Sequence, residues 1–285
     1  MSDRHGSEMM TRFPETNGHG DSLPAKQVLR LVRRDLSGQQ YFVYIPSSGG
    51  VDAPLFVAVH GVAQNAHEQA SMFSSYCEAQ GVVLVAPLFA DDYRDYQRLG
   101  RSGRGPRSDA ALEAILEEVV LQTGAMATPI YLFGHSGGAQ FAHRYAMAHP
   151  HRVARVVVVG AGWYTFPNRR RRFPHGIRRS RDLPNVRFDP EEFLRIPMTV
   201  MVGEQDTHTG NLRRTERVNR QQGRNRLERA RNWVGAMRTA AESRNLDPLV
   251  SFESIPAGDN SFVRLMTSGR LGERVFAALF GDHTQ

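Results

Sequence analysis

Short apolar runs and longer amphipathic segments alternate along the chain, which predicts strands joined by helices. Most of the short runs are apolar over their whole length, as in strands that are buried on both faces of a sheet. These runs lie at residues 28–32, 41–45, 54–60, 82–86, 129–133, 151–160, 197–203 and 249–255. The first two predict an antiparallel pair. The whole order predicts an α/β fold in which helices cover both faces of a mostly parallel sheet.

Helical periodicity occupies the segments between these runs. The predicted helices lie at residues 66–80, from Ser108 onward, at 139–147, at 226–243 and within 261–280. Gly81 favours the end of the first helix, because glycine adopts the left-handed conformation at little cost. Ser108 precedes an apolar helical face, so we expect its hydroxyl to cap the N-terminus of that helix.

The ends of the chain and one internal segment break this rhythm. Residues 1–25 are polar and aperiodic, which predicts a disordered tail before a single domain at residues 26–285. A basic insertion at residues 162–196 separates two predicted strands, and we expect it to act as a lid or cap.

Two absences in the sequence bear on location. The first 25 residues lack the apolar core of a secretory signal, and no run reaches the ~18 apolar residues of a membrane span. Cys77 is the only cysteine, so the chain has no disulfide framework. We therefore expect a cytoplasmic protein without a membrane span.

The net charge of +7 rests almost entirely on arginine, because Lys26 is the only lysine among 36 basic residues. Seven arginines lie within residues 168–182, where they suit an acidic substrate or a nucleic-acid backbone. No nucleic-acid-binding module accompanies them, so we do not expect nucleic acid as a partner. A second set, within residues 213–231, is interspersed with glutamates and predicts a solvated charged face.

The motif GHSGG at residues 134–138 carries the most chemical information, since it fits the pattern G-x-S-x-G. A strand-like run precedes it and a helix-like segment follows it. A nucleophile elbow requires this context, in which a strained turn exposes a serine at the carboxyl ends of the strands. Glycine is needed at positions 134 and 138 because side chains there would collide with the neighbouring strand and helix.

Further segments appear in the order found in a known superfamily. They read VAVHG at 57–61, VVLVAP at 82–87, FGHSGGAQFAHRYA at 133–146, AGWYT at 161–165 and VGEQDT at 202–207. On these segments the chain resembles the α/β-hydrolase superfamily over about residues 54–279. More narrowly, it resembles bacterial serine hydrolases related to polyhydroxybutyrate depolymerases and feruloyl-type esterases. The resemblance implies the α/β-hydrolase fold.

The resemblance also implies roles for individual residues. Ser136 matches the nucleophile, and Asp206 matches the acid that orients a catalytic histidine; Glu204 is a nearby alternative for the acid. An oxyanion hole needs two backbone N–H groups, which we expect from Gly137, after the nucleophile, and from Val62, after a strand.

Trp163 and Tyr164 follow a predicted strand at the start of the basic insertion. Two roles are open for them. They either pack the insertion onto the domain or line a pocket for an acyl or aromatic group.

The position of the catalytic base departs from the family pattern. The family's last loop resembles P-G-x-G-H-S, whereas this chain has PAGDNSF at residues 256–262, which aligns Asn260 with the histidine. Asparagine cannot accept a proton at neutral pH, so the serine lacks its usual activation.

Other histidines are alternatives for the base. His208 lies two residues after Asp206 and is the leading substitute, and His175 lies in the basic insertion. We expect His135 and His143 to pack in the interior, and His283 lies near the end of the chain.

Three hypotheses follow. The first is a serine hydrolase of ester or related acyl bonds, acting on a small-molecule substrate through an acyl-enzyme. The second is a degenerate hydrolase that binds a ligand without turnover. The third is a site used for acyl transfer, lyase or cyclase chemistry. The sequence contains no metal-ligand cluster, P-loop or dinucleotide fingerprint, so no metal and no cofactor are expected. The oligomeric state is left open.

Overall fold

The computed structural model describes residues 23–33, 35, 38–208, 212, 215–256 and 258–281. The predicted disordered tail therefore lies almost wholly outside the described residues, and so does His283. Within the described part of the chain, no helix is long and apolar enough to cross a membrane.

Eight strands form one sheet in the order β1-β2-β4-β3-β5-β6-β7-β8. Strands β1 and β2 are antiparallel to their neighbours, and the other pairs are parallel. The predicted mostly parallel sheet with an antiparallel opening is confirmed. The strands are β1 (Val28–Val32), β2 (Gln40–Tyr44), β3 (Leu55–Val59), β4 (Val83–Pro87), β5 (Ile130–His135), β6 (Val153–Val159), β7 (Met198–Gly203) and β8 (Val250–Ile255).

Helices cover both faces of this sheet. They are α1 (Ala66–Gln80), α2 (Ser108–Thr123), α3 (Gly137–Ala148), α4 (Pro190–Phe193), α5 (Glu216–Gln222), α6 (Arg226–Glu242), α7 (Phe262–Thr267) and α8 (Leu271–Phe280). One apolar core lies between the sheet and α2, α3 and α6, and the other lies under α1, α7 and α8. Every residue of β3 and β4 is buried, because both of their faces are covered.

Two of the helix predictions need correction. Ser108 is the first residue of α2 and does not cap it; its hydroxyl donates instead to the carbonyl of Tyr96, 2.9 Å away. The segment 261–280 forms two helices, and Ser261 caps the first of them by accepting from the N–H of Arg264. Gly81 ends α1 in the left-handed conformation, as predicted.

The basic insertion follows β6 and has little regular structure apart from α4. It is nevertheless anchored, because Phe173, Ile177, Leu183 and Phe188 are buried in the core under α2, α3 and α6. Its role as a lid or cap stays a prediction.

Replacement of Phe73 tests the packing of the core under α1, α7 and α8. Its ring is fully buried and packs against Phe56 and Phe133, with centroids 5.2 and 4.9 Å away. We expect Phe73→Ala to lower the free energy of unfolding by about 3–5 kcal/mol, through lost burial and a residual cavity. The control is Leu121→Ala on the surface of α2, with a change within about 0.5 kcal/mol. Urea unfolding measures both, and equal midpoints would contradict this description of the core.

Candidate active site

Ser136 occupies the sharp turn between β5 and α3, at the carboxyl end of the sheet. Its backbone is strained, with φ 53° and ψ −106°, in a region that non-glycine residues rarely adopt. The side chain is partly exposed although its neighbours on both sides are buried. This geometry presents the hydroxyl to an incoming molecule, as the motif predicts.

Two glycines make this turn possible. A Cβ on Gly134 would overlap the carbonyl of Gly138, and a Cβ on Gly138 would overlap the carbonyls of Val59 and His60. The first turn of α3 therefore lies directly against the end of β3. This contact brings the loop after β3 beside the serine.

The two expected oxyanion-hole residues are adjacent. A Cβ added to Gly137 would lie 3.3 Å from the backbone nitrogen of Val62, so the two N–H groups are close together. As the first residue of α3, Gly137 has no intrahelical acceptor for its N–H. No hydrogen bond from the Val62 N–H is found within the described residues, and Val62 is 71% exposed. Both donors are therefore available to a developing negative charge.

The side chains of His60 and Tyr96 hold the backbone at the end of β3, from which the loop containing Val62 starts. The sequence did not predict this role. The hydroxyl of Tyr96 donates to the carbonyl of His60 at 2.9 Å. The Nε2 of His60 accepts from the N–H of Phe89, so the ring carries its proton on Nδ1 and donates to Gly61. Both side chains are buried, and they fix the end of β3 relative to the connection after β4.

Asp206 follows β7 and is paired with a residue that the sequence pattern did not single out. Nη1 of Arg226 lies 3.0 Å from Oδ1 of Asp206, and both side chains are buried. Burial raises the pKa of Asp206, and the guanidinium of Arg226 opposes that rise. The prediction that the arginines of 213–231 form a solvated face is therefore wrong for Arg226 and for the fully buried Arg229.

Asn260 lies where a base is expected. Its Nδ2 is 3.3 Å from the Oγ of Ser136. Its Oδ1 and the Oδ2 of Asp206 are both buried acceptors for which the described part of the chain supplies no hydrogen-bond donor, and both lie near the α-carbon of Gly160. The opposite amide orientation would direct Nδ2 toward this acceptor side and let Oδ1 accept from the serine hydroxyl. In either orientation Asn260 positions the hydroxyl and cannot take its proton.

No hydrogen bond joins another histidine to Ser136 within the described residues, and His208 as a substitute base stays a prediction. His208 is exposed and makes no hydrogen bond or ion pair within the described residues. His143 is buried, accepts from the N–H of Thr165 through Nε2 and contacts the carbonyl of Ala139 through Nδ1. His175 stacks near Trp163, with ring centroids 5.2 Å apart.

His135, next to the nucleophile, is buried against Phe262 with ring centroids 5.6 Å apart. Burial and the positive charge of Arg226 lower the pKa of His135 to about 4. His135 is therefore neutral and packed in the interior.

Trp163 and Tyr164 are both packed in the interior. The guanidinium of Arg144 lies over the Trp163 ring, 4.2 Å from its centroid. Tyr164 is fully buried and stacks on Trp233 at 4.8 Å. Packing is the role that these contacts support, and a direct role in a pocket stays a prediction.

No group of three or more His, Cys, Asp or Glu within the described residues is arranged to hold a metal ion.

Comparison with known proteins places this geometry in context. The model of a family described as the alpha/beta hydrolase fold matches residues 54–206, which include the elbow and Asp206. Among curated proteins, no sequence matches the chain.

Solved structures of hydrolases are similar to the chain over most of its length. LpqC, a poly(3-hydroxybutyrate) depolymerase from Bordetella parapertussis, is 26% identical, with a TM-score of 0.70, covering 88% of this chain and 95% of that one. Poly(aspartic acid) hydrolase-1 from Sphingomonas sp. KT-1 is 22% identical, with a TM-score of 0.75, covering 89% and 100%. A ferulic acid esterase is 13% identical, with a TM-score of 0.59, covering 89% and 97%.

The buried histidines predict a loss of stability in mild acid. Burial lowers the pKa of His60 and of His135 to about 4, and lowers that of His143 well below its usual value. The unfolded chain binds protons below about pH 6.5, whereas the folded chain does not, so stability is full above that pH and falls toward pH 4. We expect a loss of about 1.4 kcal/mol per histidine between pH 7.5 and 5.5. The raised pKa of Asp206 has the opposite effect on stability, because it favours protonation of the folded protein as the pH falls. Asp206 is one group against three histidines, so a net loss is still expected.

Chemical denaturation at the two pH values measures this loss. His135→Gln should reduce the difference between the two pH values by about one histidine's share. The control is His151→Gln, whose side chain is 80% exposed, and it should keep the full difference. Equal stability of the unmodified protein at pH 7.5 and 5.5 would contradict the assignment of buried neutral rings.

Proposed function

The chain belongs to the α/β-hydrolase fold family, and we propose that it is a serine hydrolase that cleaves ester or related acyl bonds. The observation that carries the proposal is the strained Ser136 held beside the N–H groups of Gly137 and Val62. A domain that only binds a ligand has no need of a strained serine at this place. LpqC, the relative at 26% identity, supports ester bonds as the target.

The reaction follows from the placement of these groups. The Oγ of Ser136 attacks the acyl carbon, and the oxygen of the tetrahedral intermediate receives hydrogen bonds from Gly137 and Val62. The bond to the leaving group breaks, the leaving group is protonated, and water then hydrolyses the acyl-enzyme. Asn260 orients the hydroxyl, and the proton passes to water or to the leaving group.

The absent base limits the expected rate. Loss of one member of a catalytic triad costs on the order of 10⁴–10⁶ in rate, and the oxyanion hole supplies what is left. We therefore expect slow turnover of unactivated esters and faster turnover of esters with good leaving groups.

A second candidate is a degenerate site that binds a ligand without turnover. The buried ion pair between Asp206 and Arg226 favours it, because a permanent cation already occupies one oxygen of the acid. Reactivity of the serine separates the two candidates.

Labelling with a fluorophosphonate tests the nucleophile. We expect covalent labelling of the purified protein at Ser136 and loss of label in Ser136→Ala, because the oxyanion hole stabilises the phosphonylated serine. Ser71→Ala, an exposed serine on α1, is the matched control and should label like the unmodified protein. Intact mass spectrometry reads the adduct. An unlabelled protein that also leaves p-nitrophenyl acetate intact would favour the degenerate site.

Asn260→His tests the missing base. No described residue donates a hydrogen bond to the Oδ2 of Asp206, so this oxygen can accept from an imidazole at position 260. We expect hydrolysis of p-nitrophenyl esters to rise by about 10², the usual scale of general-base assistance. The charge of Arg226 should lower the pKa of the new imidazole, so Arg226→Gln added to Asn260→His should move the pH–rate profile to higher pH.

His208→Ala is the control for this experiment. We expect it to leave ester hydrolysis unchanged, because His208 is exposed. Loss of activity in His208→Ala would identify His208 as the base and overturn the role given to Asn260.

A further inference from the structure

The basic insertion concentrates positive charge that the rest of the protein does not neutralise. Residues 168–188 contain eight arginines and one carboxylate, that of Asp182. Asp182 is already paired with Arg98 of the connection after β4. Seven of the eight arginines are exposed, and none of these seven has an ion-pair partner within the described residues. They are Arg169, Arg170, Arg172, Arg178, Arg179, Arg181 and Arg187.

The backbone of the insertion holds two runs of arginine side by side. The N–H of Arg178 donates to the carbonyl of Arg171 at 2.9 Å, and residues 172 and 178 form a β-bridge. The N–H of Ile177 donates to the carbonyl of Asn168 at 3.1 Å. The runs 169–172 and 178–181 are thus fixed next to each other by a loop whose apolar side chains are anchored in the core. Like charges held together repel, and an anion bound between them relieves the repulsion.

Contacts place the insertion beside the active site. Two residues before it begins, Gly160 lies beside the side chains of Asn260 and Asp206. At its middle, Asp182 accepts from the N–H of Ser102, in the connection after β4 that also contains Tyr96. Gln221 of α5, which lies between Asp206 and Arg226 in the chain, bonds Arg171 and the carbonyl of His175. The arginine runs therefore share the carboxyl end of the sheet with Ser136.

We propose that the two arginine runs, residues 169–172 and 178–181, bind a substrate chain that carries several carboxylates, and that Ser136 cleaves acyl bonds within that chain. This inference rests on the proposed function, since it names the substrate class of the same site. A single carboxylate would engage only one or two of the six exposed guanidinium groups in these runs, whereas a polycarboxylate matches their number and spread. A nucleic acid offers no acyl bond to Ser136.

Binding of a polycarboxylate is measured separately from turnover. The probe is a fluorescein-labelled peptide of ten glutamates, and its anisotropy is followed on Ser136→Ala protein, which cannot form an acyl-enzyme. The variants replace Arg169, Arg170 and Arg172, or Arg178, Arg179 and Arg181, with glutamine. We expect each triple variant to bind about tenfold more weakly, because each exposed charge pair contributes modestly and three are lost.

The matched control removes the same charge elsewhere. Arg30→Gln/Arg231→Gln/Arg238→Gln neutralises three exposed arginines on β1 and α6, outside the basic insertion. We expect the Kd for the labelled decaglutamate to change less than twofold in this control. If the control lost as much affinity for the peptide as the two insertion variants, the effect would come from net charge alone, and the proposed binding site would be wrong.

Competition shows whether the bound chain reaches the serine. With active protein, unlabelled decaglutamate should raise the KM for p-nitrophenyl acetate and leave kcat unchanged. Binding without any rise in KM would separate the arginine runs from Ser136 and overturn the proposal. If a ten-nucleotide DNA strand bound more tightly than decaglutamate, the surface would be a nucleic-acid site, and the proposal would also be overturned. Failure of fluorophosphonate labelling with intact decaglutamate binding would instead reject the proposed function and cleavage by Ser136, while binding of a polycarboxylate by the arginine runs would stand.

Discussion

The close contact between the first turn of α3 and the end of β3 is the constraint on which the site depends. Strands β3 and β5 are neighbours in register, with Val59 opposite Gly134, so α3 must begin directly over the end of β3. Only glycine at 138 permits this approach, because any side chain would overlap the carbonyl of Val59. The same approach places Val62 next to Gly137 and strains Ser136. The strained serine and the adjacent N–H groups of Gly137 and Val62 are therefore consequences of one packing contact, which does not depend on the residue at position 260.

The contacts of Asp206 and Ser136 show how two roles of a catalytic histidine can be divided between two other residues. In a triad, the imidazole transfers the proton and, once protonated, supplies a positive charge beside the acid. Here Arg226 supplies a permanent positive charge to Asp206, and Asn260 supplies the hydrogen bond to Ser136. A buried carboxylate without a partner would cost several kcal/mol, so Arg226 explains how Asp206 persists without a histidine. The residue that takes the proton of Ser136 is not identified by these contacts.

The sequence alone predicted the sheet and several of the residues that lie together at its carboxyl end. Apolar runs predicted the strands because parallel strands are buried on both faces, and glycine spacing predicted the elbow because the turn excludes side chains. The sequence was insufficient for Arg226, His60 and Tyr96. Each acts through a contact with a residue 20 or more positions away, and nothing in local periodicity distinguishes a buried arginine from its exposed neighbours.

The near-exclusive use of arginine has two physical consequences in this molecule. In the interior, Arg144 bonds Thr165 and the carbonyl of Gln97, and Arg229 bonds the carbonyls of Gly162 and Gly223. A guanidinium has five donors in a plane and can bind several backbone groups at once, which an ammonium does less well. These arginines hold the connections at the carboxyl end of the sheet together. The exposed arginines of the basic insertion have no such side-chain partners among the residues that the structure describes, although the same loop is anchored by apolar residues. The contacts of the described residues therefore give this charge no part in holding the fold, which is why we propose a negatively charged ligand for it.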